Sequence, residues 1–76
     1  TWQERECDIV RYEDTGVGDG FVIYISNNGR EQRVNMGAFQ MRERVRRGHK
    51  RVEIKFLSEG ADGALRFPSV RRLVDL

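Results

Sequence analysis

Apolar and polar residues alternate along much of this chain, and a period of two residues is typical of β-strands that bury one face. The clearest example is residues 51–57, where Val52, Ile54 and Phe56 fall on one face. The pattern predicts four further strands, at residues 6–12, 21–26, 31–36 and 64–73. Pro68 interrupts the last of them, which indicates an edge position or a bulge because proline donates no backbone hydrogen bond.

Turn signals connect the predicted strands. Asn27, Asn28 and Gly29 predict a tight hairpin between the second and third strands, because Asn-Gly accepts the left-handed backbone that such turns require. Glycine-rich turns are predicted at residues 13–20 and 58–63, where several glycines remove side chains and permit positive φ.

The period changes after the third strand. Ala38, Met41 and Val45 are spaced as one stripe of a short helix, and Gly48 is placed to cap its C-terminal end. A helical turn is also an alternative to a strand at residues 69–75, because their apolar side chains would share one side of a helix. The predicted order is therefore three strands, a short helix or irregular crossing, and two strands.

This order predicts an all-β fold, a small five-stranded antiparallel OB-fold barrel with the short helix or irregular crossing between strands 3 and 4. An SH3-like or Sm-like barrel is the alternative, since all three are small and five-stranded. A chain of 76 residues allows one domain, over residues 1–76, and Thr1 at the first position predicts a piece of a longer protein. Phe39, Phe56 and Phe67 are predicted to lie in its core.

Composition narrows the function classes. The chain has one cysteine and one histidine, which excludes an internal disulfide framework and predicts no zinc site. A single cysteine favours a reducing, cytoplasmic setting. No apolar stretch approaches the ~18 residues of a membrane span, so no membrane contact is expected. Neither a nucleophile–base pair nor paired catalytic carboxylates are visible, so we expect no enzyme activity and no cofactor.

Charge is unevenly distributed, although the net charge is only +2. The first quarter of the chain is acidic, whereas arginines and Lys50 crowd into residues 42–51. Arginine supplies 12 of the 14 basic residues, and its planar fork pairs with phosphate and stacks on bases. The basic run is interpreted as a phosphate-facing patch, with a solvated basic turn as the alternative.

Two short segments resemble the RNP motifs of the cold-shock domain family. Residues 17–22, V-G-D-G-F-V, are similar to that family's K-G-F/Y-G-F-I, and residues 34–39, V-N-M-G-A-F, are similar to V-H-F-S-A-I. Residues 45–54 and 63–73 resemble later segments of the same family, so the resemblance extends over nearly the whole chain. Asp19 and Met36 stand where the family has aromatic residues, so the chain resembles a non-standard cold-shock domain of multi-domain RNA regulators.

The resemblance implies a module that binds single-stranded RNA, or alternatively DNA, weakly and as a monomer. Stacking is expected from Tyr12 and Phe21, base or apolar contacts from Asn35 and Met36, and phosphate contacts from basic residues. A core position is the alternative for Phe21 and Met36, and for Phe21 it is favoured because its strand is apolar on both faces. A half-buried strand position is the alternative for Tyr12, and a solvated strand face is the alternative for Asn35. Those basic residues are Arg11, Arg33, Arg42, Arg44, Arg46 and Lys50. Trp2 lies outside the motif, and its role is left open between covering an edge and stacking on a base.

A second hypothesis belongs to a different class, a protein-interaction or spacer domain within an RNA-associated protein. The acidic residues Asp8, Glu13 and Asp19 favour it, because carboxylates beside the first two strands would repel phosphate. The two hypotheses differ in salt dependence, because affinity that comes from phosphate contacts falls steeply with salt.

Overall fold

The computed structural model of the chain describes residues 1–16, 20–37 and 39–74, with the side chain of Phe39 left out. The expectations for residues 17–19, including Asp19, for Ala38, for residues 75–76 and for the side chain of Phe39 lie outside this part. Within it the chain forms strands and one short helix. They are β1 (Gln3–Asp14), β2 (Phe21–Asn27), β3 (Arg30–Asn35), α1 (Phe39–Arg46), β4 (Arg51–Phe56), β5 (Ser58–Glu59), β6 (Leu65–Arg66) and β7 (Ser69–Leu73).

The main sheet has five antiparallel strands in the order β3-β2-β1-β4-β7, and β5 and β6 form a separate short hairpin. β1 is the central strand, and its first half pairs with β4 while its second half pairs with β2. The register with β2 shifts between Ile9 and Arg11, which is a β-bulge at Val10. Bulges bend a strand and increase its twist, so this one lets β1 serve two neighbours along its length.

The predicted all-β class, with an antiparallel five-stranded sheet and a short helix before the fourth long strand, is confirmed. The closed barrel is not. β3 and β7 approach each other to Cα–Cα distances of 8 Å or less, but no backbone ladder joins them among the described residues. A side chain links the edge of β3 to β6 instead. The Gln32 amide donates to the carbonyl of Leu65 at 2.7 Å and accepts its N–H at 2.8 Å.

The predicted hairpin between β2 and β3 is confirmed. Asn27 pairs with Arg30, and the two loop residues, Asn28 and Gly29, have φ values of 52° and 81°. Both values are positive, as a two-residue hairpin turn whose twist matches its strands requires. The buried Asn27 side chain then donates to Glu59 at 2.7 Å and to the Gly63 carbonyl at 2.8 Å, which ties this turn to the β5–β6 hairpin.

The last predicted strand is divided at Pro68 into β6 and β7, and the helical-turn alternative is wrong over Ser69–Leu73. The predicted core position of Phe56 is confirmed, but that of Phe67 is wrong. Phe67 is 71% exposed and has a φ of 53°. It lies in the break between β6 and β7, where no ladder turns its side chain towards the interior.

One face of the sheet carries the core, to which β2 contributes Ile23 and Ile25 and β4 contributes Ile54 and Phe56. α1 packs Val45 into the same core, with Met41 against it, as the predicted helical stripe requires. No helix in the described ranges is long and apolar enough to cross a membrane. The core thus fixes α1 against one end of the sheet.

The predicted cap at Gly48 is confirmed and positions the segment that follows α1. The N–H of Gly48 donates to the Val45 carbonyl and the N–H of His49 to the Arg44 carbonyl, both at 3.0 Å, and Gly48 has a φ of 103°. These two bonds and the positive φ are a Schellman motif, which turns the chain sharply. The turn directs the Lys50 carbonyl to the Ile9 N–H at 2.7 Å, which docks the helix end on the bulge of β1.

Candidate nucleic-acid interface

A cleft of about 290 Å³ lies between the bulged part of β1 and the C-terminal end of α1. Ligand pockets for small molecules begin at about this volume. The residues that line the cleft are Ile9, Val10, Arg11, Tyr12, Val45, Arg46, Gly48, His49 and Lys50. Two local features therefore build it, the β-bulge on one side and the helix cap on the other.

The β1 side of the cleft presents exposed apolar surface. The bulge leaves Val10 on the exterior, and Tyr12 is 41% exposed. The Tyr12 ring stacks on the Phe21 ring with centroids 5.3 Å apart and planes 14° apart. Offset stacking of this kind stabilises a pair of rings. The Tyr12 ring is therefore held in place by the buried Phe21 ring, and its exposed part is open to the cleft.

The α1 side of the cleft presents cations. Lys50 is exposed and has no ion pair among residues 1–16, 20–37 and 39–74. Arg46 pairs with Asp14 through Nε at 2.9 Å and also with Glu43, and its guanidinium lies 5.1 Å from the centre of the Phe21 ring. Arg46 thus has a structural role, because it joins α1 to the end of β1.

The Asp14–Arg46 pair changes the pKa of the Asp14 carboxyl. The hydrogen bond from Arg46, followed by the one from the Gly16 N–H, lowers the pKa of the Asp14 carboxyl. A lowered pKa in the folded state means that the pair stabilises the fold above the ordinary pKa of aspartate, about 3.9. That contribution is lost progressively as the pH falls from this value to the lowered pKa of the folded state.

We expect the carboxyl carbon of Asp14, followed by NMR, to titrate below the ordinary aspartate range. In Arg46→Gln the midpoint should move back towards that range, since the first cause of the shift is removed while the Gly16 bond remains. Asp62 offers a matched control, because its pKa is lowered chiefly by the Ala64 N–H and should not respond to Arg46→Gln. Equal Asp14 midpoints in both proteins would show that the pair does not form in solution.

The outer face of β1, β2 and β3 carries a second tyrosine, which sequence analysis did not single out. Tyr24 lies between Arg11 and Arg33 in the register, and the Arg11 guanidinium lies 3.6 Å from its ring centre. Its hydroxyl donates to Glu13 at 2.8 Å, which is the first cause that lowers the pKa of the Glu13 carboxyl. Arg11 also pairs with Glu13, at 2.9 Å, and with Glu31. The ring is thus covered by a cation that is itself neutralised.

Four of the ten residues predicted to bind nucleic acid line the cleft, namely Arg11, Tyr12, Arg46 and Lys50. Arg33 and Asn35 are exposed on β3, away from the cleft-lining residues. Arg44 is exposed on α1, and its carbonyl takes part in the helix cap. The structure therefore divides the predicted set among the cleft, other surfaces and the core.

Two predicted contact residues are corrected, because they lie in the core. Phe21 is 1% exposed and faces inward with Ile23 and Ile25. Successive strand residues point to opposite faces, so a platform role would need the register of β2 to shift by one residue. Met36 is 0% exposed, and its carbonyl accepts a 2.7 Å bond from the Nε of the half-buried Arg42.

Carboxylates neutralise part of the basic run at residues 42–51. Arg51 pairs with Asp8 at 2.6 Å and with Glu6, and Arg46 pairs with Asp14. Arg47 and Lys50 are exposed and have no ion pair within the described part of the chain. Arg47 directly follows α1 and Lys50 lines the cleft, and these two cations are therefore those placed to meet phosphate.

The cleft residues that sequence analysis did not predict are those that depend on the bulge and the cap. Val10 was assigned to a regular strand, where the bulge cannot be recognised from alternation alone. Sequence analysis gave His49 no contact within the domain, whereas its Nε2 lies 2.6 Å from the carbonyl of Val74 and joins the end of α1 to the residue after β7.

Comparison of this chain with protein-family models, with curated proteins and with solved structures gives no match.

Proposed function

We propose that this domain binds single-stranded nucleic acid, with RNA as the ligand, at the cleft between β1 and the end of α1. The observation that carries the proposal is the half-exposed Tyr12 ring, stacked on Phe21, in the same cleft as Lys50 and Arg46. An aromatic platform beside basic side chains is the usual arrangement for binding single strands without reading their sequence. RNA as the ligand rests on the resemblance to cold-shock domains, and the cytoplasmic setting rests on the single cysteine.

One base would stack on Tyr12, which extends the existing pair to a stack of three rings. Val10 would cover the edge of that base, and Lys50 and Arg47 would meet the adjoining phosphates. A single platform contributes about 1–3 kcal/mol, so the affinity of the isolated domain is weak. In this proposal the domain serves within a larger post-transcriptional regulator and supplies one of several contacts to RNA.

The architecture supports an OB-fold of the cold-shock type as part of the proposal. The OB-fold is a five-stranded, partly open barrel. Here β1 is central, β3 and β7 approach without a ladder, and the helix precedes β4. The buried position of Phe21 departs from the motif alignment, so the proposed platform is Tyr12 alone.

A salt titration tests the proposal. Affinity for a fluorescent random single-stranded RNA pool should fall with salt, with a log–log slope of roughly −0.7 per neutralised phosphate. Arg47→Gln with Lys50→Gln should flatten this slope by about that amount for each lost contact and weaken all sequences equally. The matched control is Arg66→Gln, which removes an exposed cation on β6 and leaves the end of α1 and the cleft intact. Binding that keeps its slope in the double variant contradicts the cleft as the phosphate site.

A protein-interaction role is the second candidate, and the ion pairs on the rest of the sheet favour it. Arg71 pairs with Glu4 and with Glu53, and Arg72 pairs with Glu53 at 3.3 Å. Arg51 likewise pairs with Asp8 and Glu6. A surface whose cations are neutralised in this way attracts phosphate weakly. Under this hypothesis the salt titration shows negligible RNA binding before and after substitution.

A further inference from the structure

Three exposed apolar residues lie on chain segments that converge at the end of the β1–β4 ladder further from the bulge. Gln3 pairs with Phe56, so Trp2 and Leu57 directly follow the last pair of that ladder. The N–H of Leu57 donates to the carbonyl of Arg66 at 3.0 Å, which brings the backbone of the Phe67 segment beside that of Leu57. We refer to Trp2, Leu57 and Phe67 as the apolar end.

The conformation of Phe67 is the unusual feature of the apolar end. Its φ of 53° lies in the left-handed region, which is rare for a bulky side chain and costs free energy. The side chain is 71% exposed and makes no ring stack or cation–π contact among the described residues, so packing within the domain does not offset that cost. Strain that is retained to expose an aromatic ring points to a contact outside the domain.

Charge around the apolar end is positive. Lys55 lies 5.0 Å from the centre of the Trp2 ring, and Arg66 is exposed without an ion pair in the described ranges. The carboxylates beside these cations in the strand register are paired, because Glu4 pairs with Arg71 and Glu59 pairs with Arg5 at 2.9 Å. Anionic groups on a partner would therefore meet two uncompensated cations here.

We propose that the apolar end is a docking surface for an acidic peptide segment of a partner protein that carries an apolar residue. Aromatic residues and arginine are enriched at the centres of protein interfaces. A peptide is favoured over nucleic acid because Leu57 offers no ring for a base and Lys55 already lies over Trp2. β1 separates this end from Tyr12 by roughly 30 Å at about 3.3 Å per residue, so both surfaces can be occupied at once.

NMR titration of the labelled chain with the peptide EEELFEEE tests this proposal. The signals of the Trp2 indole N–H, Leu57 and Phe67 should shift saturably. They should respond more weakly to EEESSEEE, which lacks the apolar pair, and to KKKLFKKK, which reverses the charge. Phe67→Asn should weaken EEELFEEE binding about tenfold or more, as loss of an interface hot spot does. Its melting temperature should hold or rise, because asparagine accepts the left-handed region.

Further variants and ligands distinguish binding at the apolar end from binding at the cleft. Arg47→Gln with Lys50→Gln should leave EEELFEEE binding unchanged, so failure of the proposed RNA site does not affect this result. The docking proposal is overturned if EEELFEEE gives no saturable shift at the apolar end, or if KKKLFKKK binds there equally well. It is also overturned if oligouridylate of the same length shifts these signals more strongly, since the surface would then belong to nucleic acid.

Discussion

Phe21→Ala is expected to lower the free energy of unfolding by about 3–5 kcal/mol, the usual cost of removing a buried phenylalanine. Phe21 is almost fully buried, stacks under Tyr12 and lies beneath the Arg46 and Arg42 guanidinium groups. Truncation would leave a cavity under these three groups and remove the ring that holds Tyr12. A single domain of this size is only marginally stable, so the variant should be largely unfolded at physiological temperature.

Urea denaturation followed by Trp2 fluorescence or circular dichroism measures this effect. Phe21→Leu is the conservative comparison, and its free energy of unfolding should fall by less, because leucine fills part of the cavity. Leu57→Ala is the control for an exposed apolar side chain and should change stability by about 0.5 kcal/mol or less. If Phe21→Ala instead retained its stability and lost RNA binding, Phe21 would be the platform that the motif resemblance implies, and the register of β2 would differ from that described above.

Tyr12→Leu should weaken binding to single-stranded RNA by about 1–3 kcal/mol, which is roughly a 5- to 150-fold rise in Kd. The ring is the only aromatic platform among the cleft-lining residues of the described chain, and leucine keeps apolar volume without a π-face. Tyr12→Phe should retain most of the affinity, because stacking needs the ring and not the hydroxyl. Fluorescence anisotropy with a labelled random RNA pool measures all three proteins.

Tyr24→Leu is the matched control for Tyr12→Leu. It removes the same ring from the adjacent strand, but the Arg11 guanidinium already covers that ring at 3.6 Å. RNA affinity should therefore stay unchanged, although the cross-strand contacts of β2 weaken. If Tyr24→Leu lost RNA affinity and Tyr12→Leu did not, the RNA interface would lie on the outer face of β1, β2 and β3 and not in the cleft.

Local patterns in the sequence determined most of the secondary structure. The alternation at residues 51–57 and the Asn28-Gly29 turn identify β4 and the β2–β3 hairpin, because each depends on side chains a few positions apart. Gly48 identifies the end of α1 for the same reason. The site was predictable in part, since Tyr12 and Lys50 stand out by residue type and by the basic run.

Tertiary structure alone decided which of these residues lie together. The bulge at Val10 bends β1 and opens the cleft, and it arises from pairing with two different strands, which no local pattern records. Most arginines in the described part of the chain pair with carboxylates distant in sequence, as Arg46 does with Asp14, so charge counts overstated the basic patch. The inward face of Phe21 depends on the register of a strand that is apolar on both sides, because a one-residue shift exchanges its faces without changing the pattern.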